Sequence, residues 1–316
     1  MKGILRKLLF GNMPVREYST VTIAGDIKET VFLKTKKNTI DISTSHWLLC
    51  LDPVVFGVWI NDNKLLADIN ENKECKIFFG SSINTRDEKI EREAVAILEL
   101  SRFDKIEEKN GTFFLWKLEK NSIHHVGLIK ALLIFHRYYK KPGISFKKLK
   151  SFASAYSYPR RVRIISVRQG TYYNIFPMDL LGEISGSKRF VFGLRHTNIA
   201  LSKIIETGKI VVSEVSFEHK ETIYQLGNHH SVSPPSLDSL PVKVKQSDNV
   251  GFYIPEWAER YNEIKIERTI NLGSHMLLWG QSVNEKTLKP SAGHLFHIHF
   301  LHYLYQQRKG YAYPLV

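Results

Sequence analysis

The chain has 316 residues, 43% hydrophobic and 24% charged, enough to bury one large core or two ordinary ones. Its net charge of +14 favours anionic ligands, but the basic residues are dispersed. The nearest clusters are Lys34–Lys37, Lys140–Lys150 and Arg160–Arg163, none with the dense basic pattern of a nucleic-acid module, so no nucleic-acid partner is expected. Two cysteines, Cys50 and Cys75, argue against a disulfide framework or a four-cysteine zinc site and fit a reducing cytoplasm. No uncharged run reaches the length of a membrane span, and no membrane partner is expected.

The opening MKGILRKLLFGN is basic and apolar. Arg6 and Lys7 interrupt its apolar run and no small-residue cleavage site follows, so it reads as a first helix rather than a signal peptide. Residues 20–120 read mostly as strands. STSHWLLCLDPVVFGVWI holds two apolar runs around Asp52-Pro53, a turn signal. CKIFFG, AVAILELSRF and GTFFLWKLEK follow, with Asn110-Gly111 marking a hairpin between the last two. From residue 122 the period changes. In HHVGLIKALLIFHRYYKK, Val126, Leu128, Ile129, Leu132, Leu133 and Phe135 recur at helical spacing, with His124 and His125 at the start and Pro142-Gly143 at the end. SFKKLKSFASAY reads as a second short helix.

A second half opens at Tyr158-Pro159. RVRIISVRQ alternates as a strand, and GTYYNIFPMDLLGEIS turns into another that Pro177 should break. RFVFGLR is a third strand. It leads directly into Arg195, His196, Thr197 and Asn198, then into a short amphipathic helix that Thr207-Gly208 stops before the strand KIVVSEV. A cation, an imidazole and two small polar side chains at a helix mouth suit an anion, because helix starts expose N–H groups and the positive end of a dipole. Read locally, the same residues fit an ordinary N-cap beside a solvated arginine better still. ETIYQLGNHHS reads as a short helix, SVSPPSLDSLP as a loop, and EIKIERTINLGSHMLLWGQSVNE as a strand pair folding back at Asn271–Ser274.

The tail carries His294, His297, His299 and His302. Their spacing could place two imidazoles on one face, with His229 or His230 as a third metal ligand. Apolar residues fill the gaps and no H-E-x-x-H element is present, so the expectation is a structural segment without metal. No G-x-G-x-x-G follows a strand, so a Rossmann dinucleotide site is not indicated.

Taken in order, the strand, G-x-x-x-N turn, second strand, Arg-x-Thr before a helix, Thr-Gly, and later Gly-Ser-His running into Trp-Gly-Gln resemble the flavin reductase-like family. The resemblance covers residues 158–316 and ends in KGYAYPL, similar to the family's closing Gly-x-Tyr segment. It implies a mainly β fold with helices: an FMN-binding split barrel over 158–316. The β-rich domain over 1–157, ending in two helices, is then either a degenerate second barrel or a partner domain covering the first. The segment YYNIFPMD, with Asn174, Phe176, Pro177 and Met178, corresponds to the part lining the flavin ring and ribityl chain. RHTNIALS, with Arg195, His196, Thr197, Asn198 and Ser202, corresponds to the phosphate-holding part, which favours the anion reading of the helix mouth. His275 corresponds to a histidine near the flavin and nicotinamide.

The departures are Phe176, Pro177, Met178 and Asp179, which stand where the family often carries a Thr-x-Ser element. Asp179 reads as a surface carboxylate paired with a nearby cation. The implied activity is hydride transfer between NAD(P)H and flavin, with FMN as cofactor. The implied assembly is a homodimer or, in a tandem chain, an internal pseudo-dimer. The rival readings are a non-enzymatic flavin- or haem-binding protein and an interaction module whose flavin pocket has decayed.

Overall fold

A computed structural model describes residues 4, 8, 20–24, 29–80, 87–124, 127–136, 142–143, 145–228, 236–291 and 293–310. Ile4 and Leu8 are helical and exposed. The rest of the opening segment, His125, His229, His230 and the closing residues 311–316 lie outside the described residues.

After β1 (Thr20–Ala24) come β2 (Val31–Lys34), β3 (Thr39–Asp41), β4 (His46–Leu51), β5 (Val54–Ile60), helix α1 (Asn63–Glu71), β6 (Glu74–Phe79), helix α2 (Asp87–Glu93), β7 (Ala96–Glu108) and β8 (Gly111–Ile123). Strands β2 to β8 form one sheet in the order β3-β2-β6-β7-β8-β5-β4. Helix α1 falls inside a region expected to be strands. Asp62 caps it by accepting from the Leu65 amide at 2.9 Å, and Leu65 and Ile69 form its buried stripe. Two helices follow, α3 (Leu128–Ile134) and α4 (Phe146–Ala155), the latter capped by Ser145. The first begins later than its apolar spacing suggests, because β8 runs on to Ile123 and the His124 ring is tied to the Ala94 carbonyl at 2.8 Å.

The second half continues with β9 (Arg160–Arg161), β10 (Arg163–Gln169), β11 (Tyr172–Met178), β12 (Leu181–Ile184), β13 (Arg189–Arg195), helix α5 (Ala200–Thr207), β14 (Lys209–Glu214), helix α6 (Lys220–Gly227), β15 (Val244–Gln246), β16 (Tyr253–Pro255), β17 (Arg260–Asn271) and β18 (His275–Thr287). Pro177 does not break β11. It sits opposite Ile164 on the edge strand of its sheet, where a missing N–H is tolerated. Finally β19 (Leu295–His299) pairs with β1 and β9, and α7 (Phe300–Arg308) closes the described chain.

The second sheet runs β11-β10-β14-β17-β18-β13-β12. Strand for strand, this is the order of the first, with α1 and α5 at corresponding positions. The two halves are therefore copies of one topology. Ladder register aligns them residue by residue. Gly57 faces Leu115 across β5–β8, and Gly193 faces Leu277 across β13–β18. The strands carrying these glycines read VVFGVW and FVFGLR.

The copies meet back to back. Leu49, Cys50, Trp59, Phe113 and Leu115 of one half form a single buried cluster with Ile184, Val191, Leu272, Leu277 and Trp279 of the other. The approach is close enough to require glycine. A Cβ on Gly193 would lie 1.8 Å from the Leu49 carbonyl oxygen, and one on Gly182 would lie 2.0 Å from the Trp47 indole nitrogen. Gly193→Ala therefore drives a methyl group into backbone that has no rotamer to yield. It should destabilise the chain by about 3 kcal/mol or more, the upper end of overpacking, read as a lowered midpoint in urea unfolding.

Candidate functional site

The polar end of this seam lies where β13 runs out into α5. Arg195 ends β13 opposite His275, the first residue of β18. Arg195, His196 and Thr197 are exposed, and Arg195 makes no ion pair with a described residue. The backbone at the helix start is largely self-satisfied. The Asn198 carboxamide oxygen accepts from the Ala200 amide at 2.9 Å, the Asn198 carbonyl from Leu201, and the Ser274 carbonyl from His196. Asn198 thus precedes the N-cap residue Ile199 and satisfies the first helical amide; it is buried at 2% exposure, and its side-chain nitrogen has no hydrogen-bond partner. Any anion here would be held by the Arg195 and Thr197 side chains rather than by a bare ring of helix amides. Ser202 is exposed on α5, its hydroxyl turned back to the Ile199 carbonyl.

His275 shares its strand face with Leu277 and Trp279, as expected from alternation, and that face is the seam. The ring is buried rather than displayed at an open rim. Its Nδ1 lies 2.8 Å from the Ser274 hydroxyl, and its Nε2 is buried without a partner. Burial, reinforced by the Arg195 and His196 charges, lowers its pKa to about 4, so it is a neutral imidazole at pH 7. The N-terminal half supplies the opposite wall. The Asp52 carbonyl accepts from the Ser274 amide at 2.7 Å, the Asp52 amide donates to the Ser274 hydroxyl at 3.1 Å, and Cys50 Sγ lies 3.4 Å from that hydroxyl.

The strand expected to line a ring is placed differently. Phe176 is fully buried in the core of its own barrel, and Asn174 is buried facing the Tyr172 hydroxyl. Pro177 packs towards Gly227 of α6. Met178, half-buried, packs on the apolar cores, and Asp179, also half-buried, reaches the charged cluster beside the corner.

Asp179 accepts from the buried Arg160 guanidinium at 2.9 and 3.1 Å and lies 3.1 Å from His297 Nδ1. Burial pushes its carboxyl up, but the Arg160 charge and the His297 hydrogen bond outweigh this and hold it well below the usual range. Arg160 also stacks on Tyr156, 3.9 Å from the ring centroid. Burial raises the Tyr156 hydroxyl to about 12. Sequence reading anticipated a cation for Asp179 but not that Arg160, His297 and Tyr156 supply the surroundings, since these come from three separate segments.

The tail histidines diverge. His294 faces Arg161 at 2.7 Å, His297 faces Asp179, His299 caps the Leu301 amide at 3.1 Å, and His302 meets Glu29 at 2.6 Å.

In the N-terminal copy, ladder register puts Trp59 opposite Phe113 where Arg195 stands opposite His275. Both aromatic residues are buried in the seam. The same register puts Asp62, which caps α1, where Asn198 stands before α5. The corner thus exists twice in topology and once in chemistry.

No family model and no curated protein matches the chain. Solved structures do. An FMN-binding protein from Thermus thermophilus with bound p-hydroxybenzaldehyde is similar at 20% identity, covering 42% of this chain and 73% of that one, with a TM-score of 0.37. A Streptomyces globisporus NADH:FAD oxidoreductase is similar at 16% identity, covering 49% and 90%, with a TM-score of 0.42. The flavin reductase component of a bacterial two-component tryptophan halogenase is similar at 12% identity, covering 47% and 94%, also at 0.42. The likeness is one of fold and extends over about half of this chain. No described helix is long and apolar enough to cross a membrane.

The buried histidines generate a pH dependence. Burial lowers His46 and His275 to about 4 and His299 to about 3, below the ordinary value of 6.5. The unfolded chain therefore binds protons first as pH falls, and stability present above pH 6.5 is lost between 6.5 and about 4. Each group should contribute about 2 kcal/mol of that loss between pH 7 and pH 5. Urea midpoints across this range should fall, and His275→Gln should flatten the dependence.

Proposed function

We propose that the protein binds FMN at the Arg195 corner, in the seam between its two barrels, and transfers hydride between NAD(P)H and that flavin. One observation carries the reading: an exposed arginine without an ion pair among the described residues stands beside a buried, neutral histidine whose Nε2 has no partner. Buried polar atoms are ordinarily satisfied, so orphaned nitrogens on both His275 and Asn198 fit a bound group with acceptors or donors of its own.

Arg195 would hold the phosphate by a charge-assisted pair, with Thr197 adding a hydroxyl. His275, kept neutral, would position a ring without adding charge. The apolar seam behind it would exclude water. When bound, a flavin supplies the two-electron chemistry itself, so no protein nucleophile is required.

The N-terminal barrel would take the place of a second subunit, making the chain an internal pseudo-dimer rather than a homodimer. Its own corner, built from Trp59, Phe113 and Asp62, lacks the cation and carries an acid, which leaves one site per chain. Both cysteines are buried as free thiols, in keeping with a cytoplasmic setting.

Titration should give one FMN per chain. Arg195→Ala should weaken FMN by roughly tenfold to a hundredfold, the worth of one charged hydrogen bond, and leave riboflavin nearly unchanged. Equal weakening of both ligands would show that Arg195 does not touch phosphate.

His275→Ala should lower the rate constant of NAD(P)H-dependent flavin reduction by about a hundredfold, the scale of lost positioning, with FMN affinity kept within a few-fold. Stopped-flow reduction and a thermal melt on the same sample separate this from a purely structural role, in which the melting temperature drops and the rate constant is unchanged.

A further inference from the structure

A concavity opens beside the Asp52-Pro53 turn, which is hydrogen-bonded to Ser274. It has a volume of about 720 Å³, within the range of small-molecule sites, and lies between that turn, the far half of β8 and α4. Its floor includes the apolar side chains of Val54, Leu118 and Phe152. Its rim holds four lysines, Lys120, Lys147, Lys148 and Lys150, against two acids, Asp52 and Glu119. Lys148 is paired with Asp52, and Lys150 donates to the Asn121 carbonyl at 3.0 Å. Glu119 is engaged by the Ser101 hydroxyl at 2.5 Å. Lys120 and Lys147 are exposed and make no ion pair with a described residue. The cleft thus combines an aromatic and aliphatic floor with an uncompensated cationic rim. That chemistry suits a planar base joined to a phosphate.

The turn forms a wall common to both sites. Asp52 lines the cleft on one side and on the other is hydrogen-bonded to Ser274, whose hydroxyl touches His275 opposite Arg195. We infer that the lysine cleft binds the adenylate portion of a dinucleotide whose other half, with its own phosphate, occupies the Arg195 corner. This rests on the proposed flavin–nicotinamide reading for the second half of the ligand, but the cleft can be tested without it. A nicotinamide dinucleotide and FAD both carry the adenylate portion, so the chemistry is shared and the experiment must distinguish them.

Calorimetric titration of the full chain with AMP uses the shared moiety as probe. Wild type should bind it. The double variant Lys120→Glu, Lys147→Glu, which alters only exposed side chains, should lose at least tenfold in affinity and keep FMN affinity within a few-fold. Arg195→Ala should show the reverse pattern. Two further pairs then identify the source: NADH against its mononucleotide, and FAD against FMN. In the relevant pair the adenylate-bearing member binds more tightly to wild type, and the double variant abolishes the advantage. The inference is overturned if AMP fails to bind wild type, if the double variant binds it equally well, or if neither pair shows an advantage. FMN failing to bind while AMP binds in a manner dependent on Lys120 and Lys147 would refute the flavin reading and leave the cleft supported.

Discussion

The close approach of two sheets at Gly193 and Gly182 governs the rest of the molecule. With the Leu49 carbonyl where a Cβ would otherwise be, the back faces of β4, β5 and β8 interlock with those of β12, β13 and β18 into one apolar cluster. Close packing of this kind has two consequences beyond stability. It brings the Asp52-Pro53 turn against Ser274, so that a wall of the candidate site comes from a residue more than two hundred positions away. It also removes water from around His275, and this desolvation, more than any single charge, makes the imidazole neutral.

One topology used twice permits the two copies to specialise. The hairpin pair that presents Arg195 and His275 in the second half presents Trp59 and Phe113 in the first. The apolar seam runs between both ends of the pair, but the two corners differ in side-chain chemistry. Two large aromatic side chains fill one corner and contribute dispersion and apolar burial there. The other corner keeps an exposed arginine with no ion pair to a described residue, beside buried nitrogens of His275 and Asn198 that have no hydrogen-bond partner.

Around the site, buried charge is matched to buried charge. Arg160 comes from the chain that joins the halves, Asp179 from the end of β11 and His297 from the tail strand β19, and their contact ties three distant segments together. Removing one partner of such a cluster leaves the others uncompensated in a poorly solvated place, so the pairing constrains geometry more than it adds net stability. At the other end of the tail His302, its ring fully buried, lies 2.6 Å from Glu29 and ties α7 to the segment before β2.

Much of this was legible in the residues themselves. Alternating apolar runs specified β10, β13, β14, β17 and β18. Asn110-Gly111 and Asn271–Ser274 specified the two long hairpins, and the polar run from Arg195 to Asn198 marked the corner. These are local signals, because period and turn chemistry depend on neighbours along the chain. Helix α1 escaped because its nine residues carry only a narrow apolar stripe inside a strand-rich region. Phe176 and Asn174 could be placed on a strand, but not on the inner or outer face of a barrel, since alternation does not say which face meets which core. That the first half repeats the second, that His275 is buried and neutral, and that Asp52 meets Ser274 all follow from contacts between segments far apart in sequence. Such contacts are decided by how two sheets pack, and no local pattern encodes them.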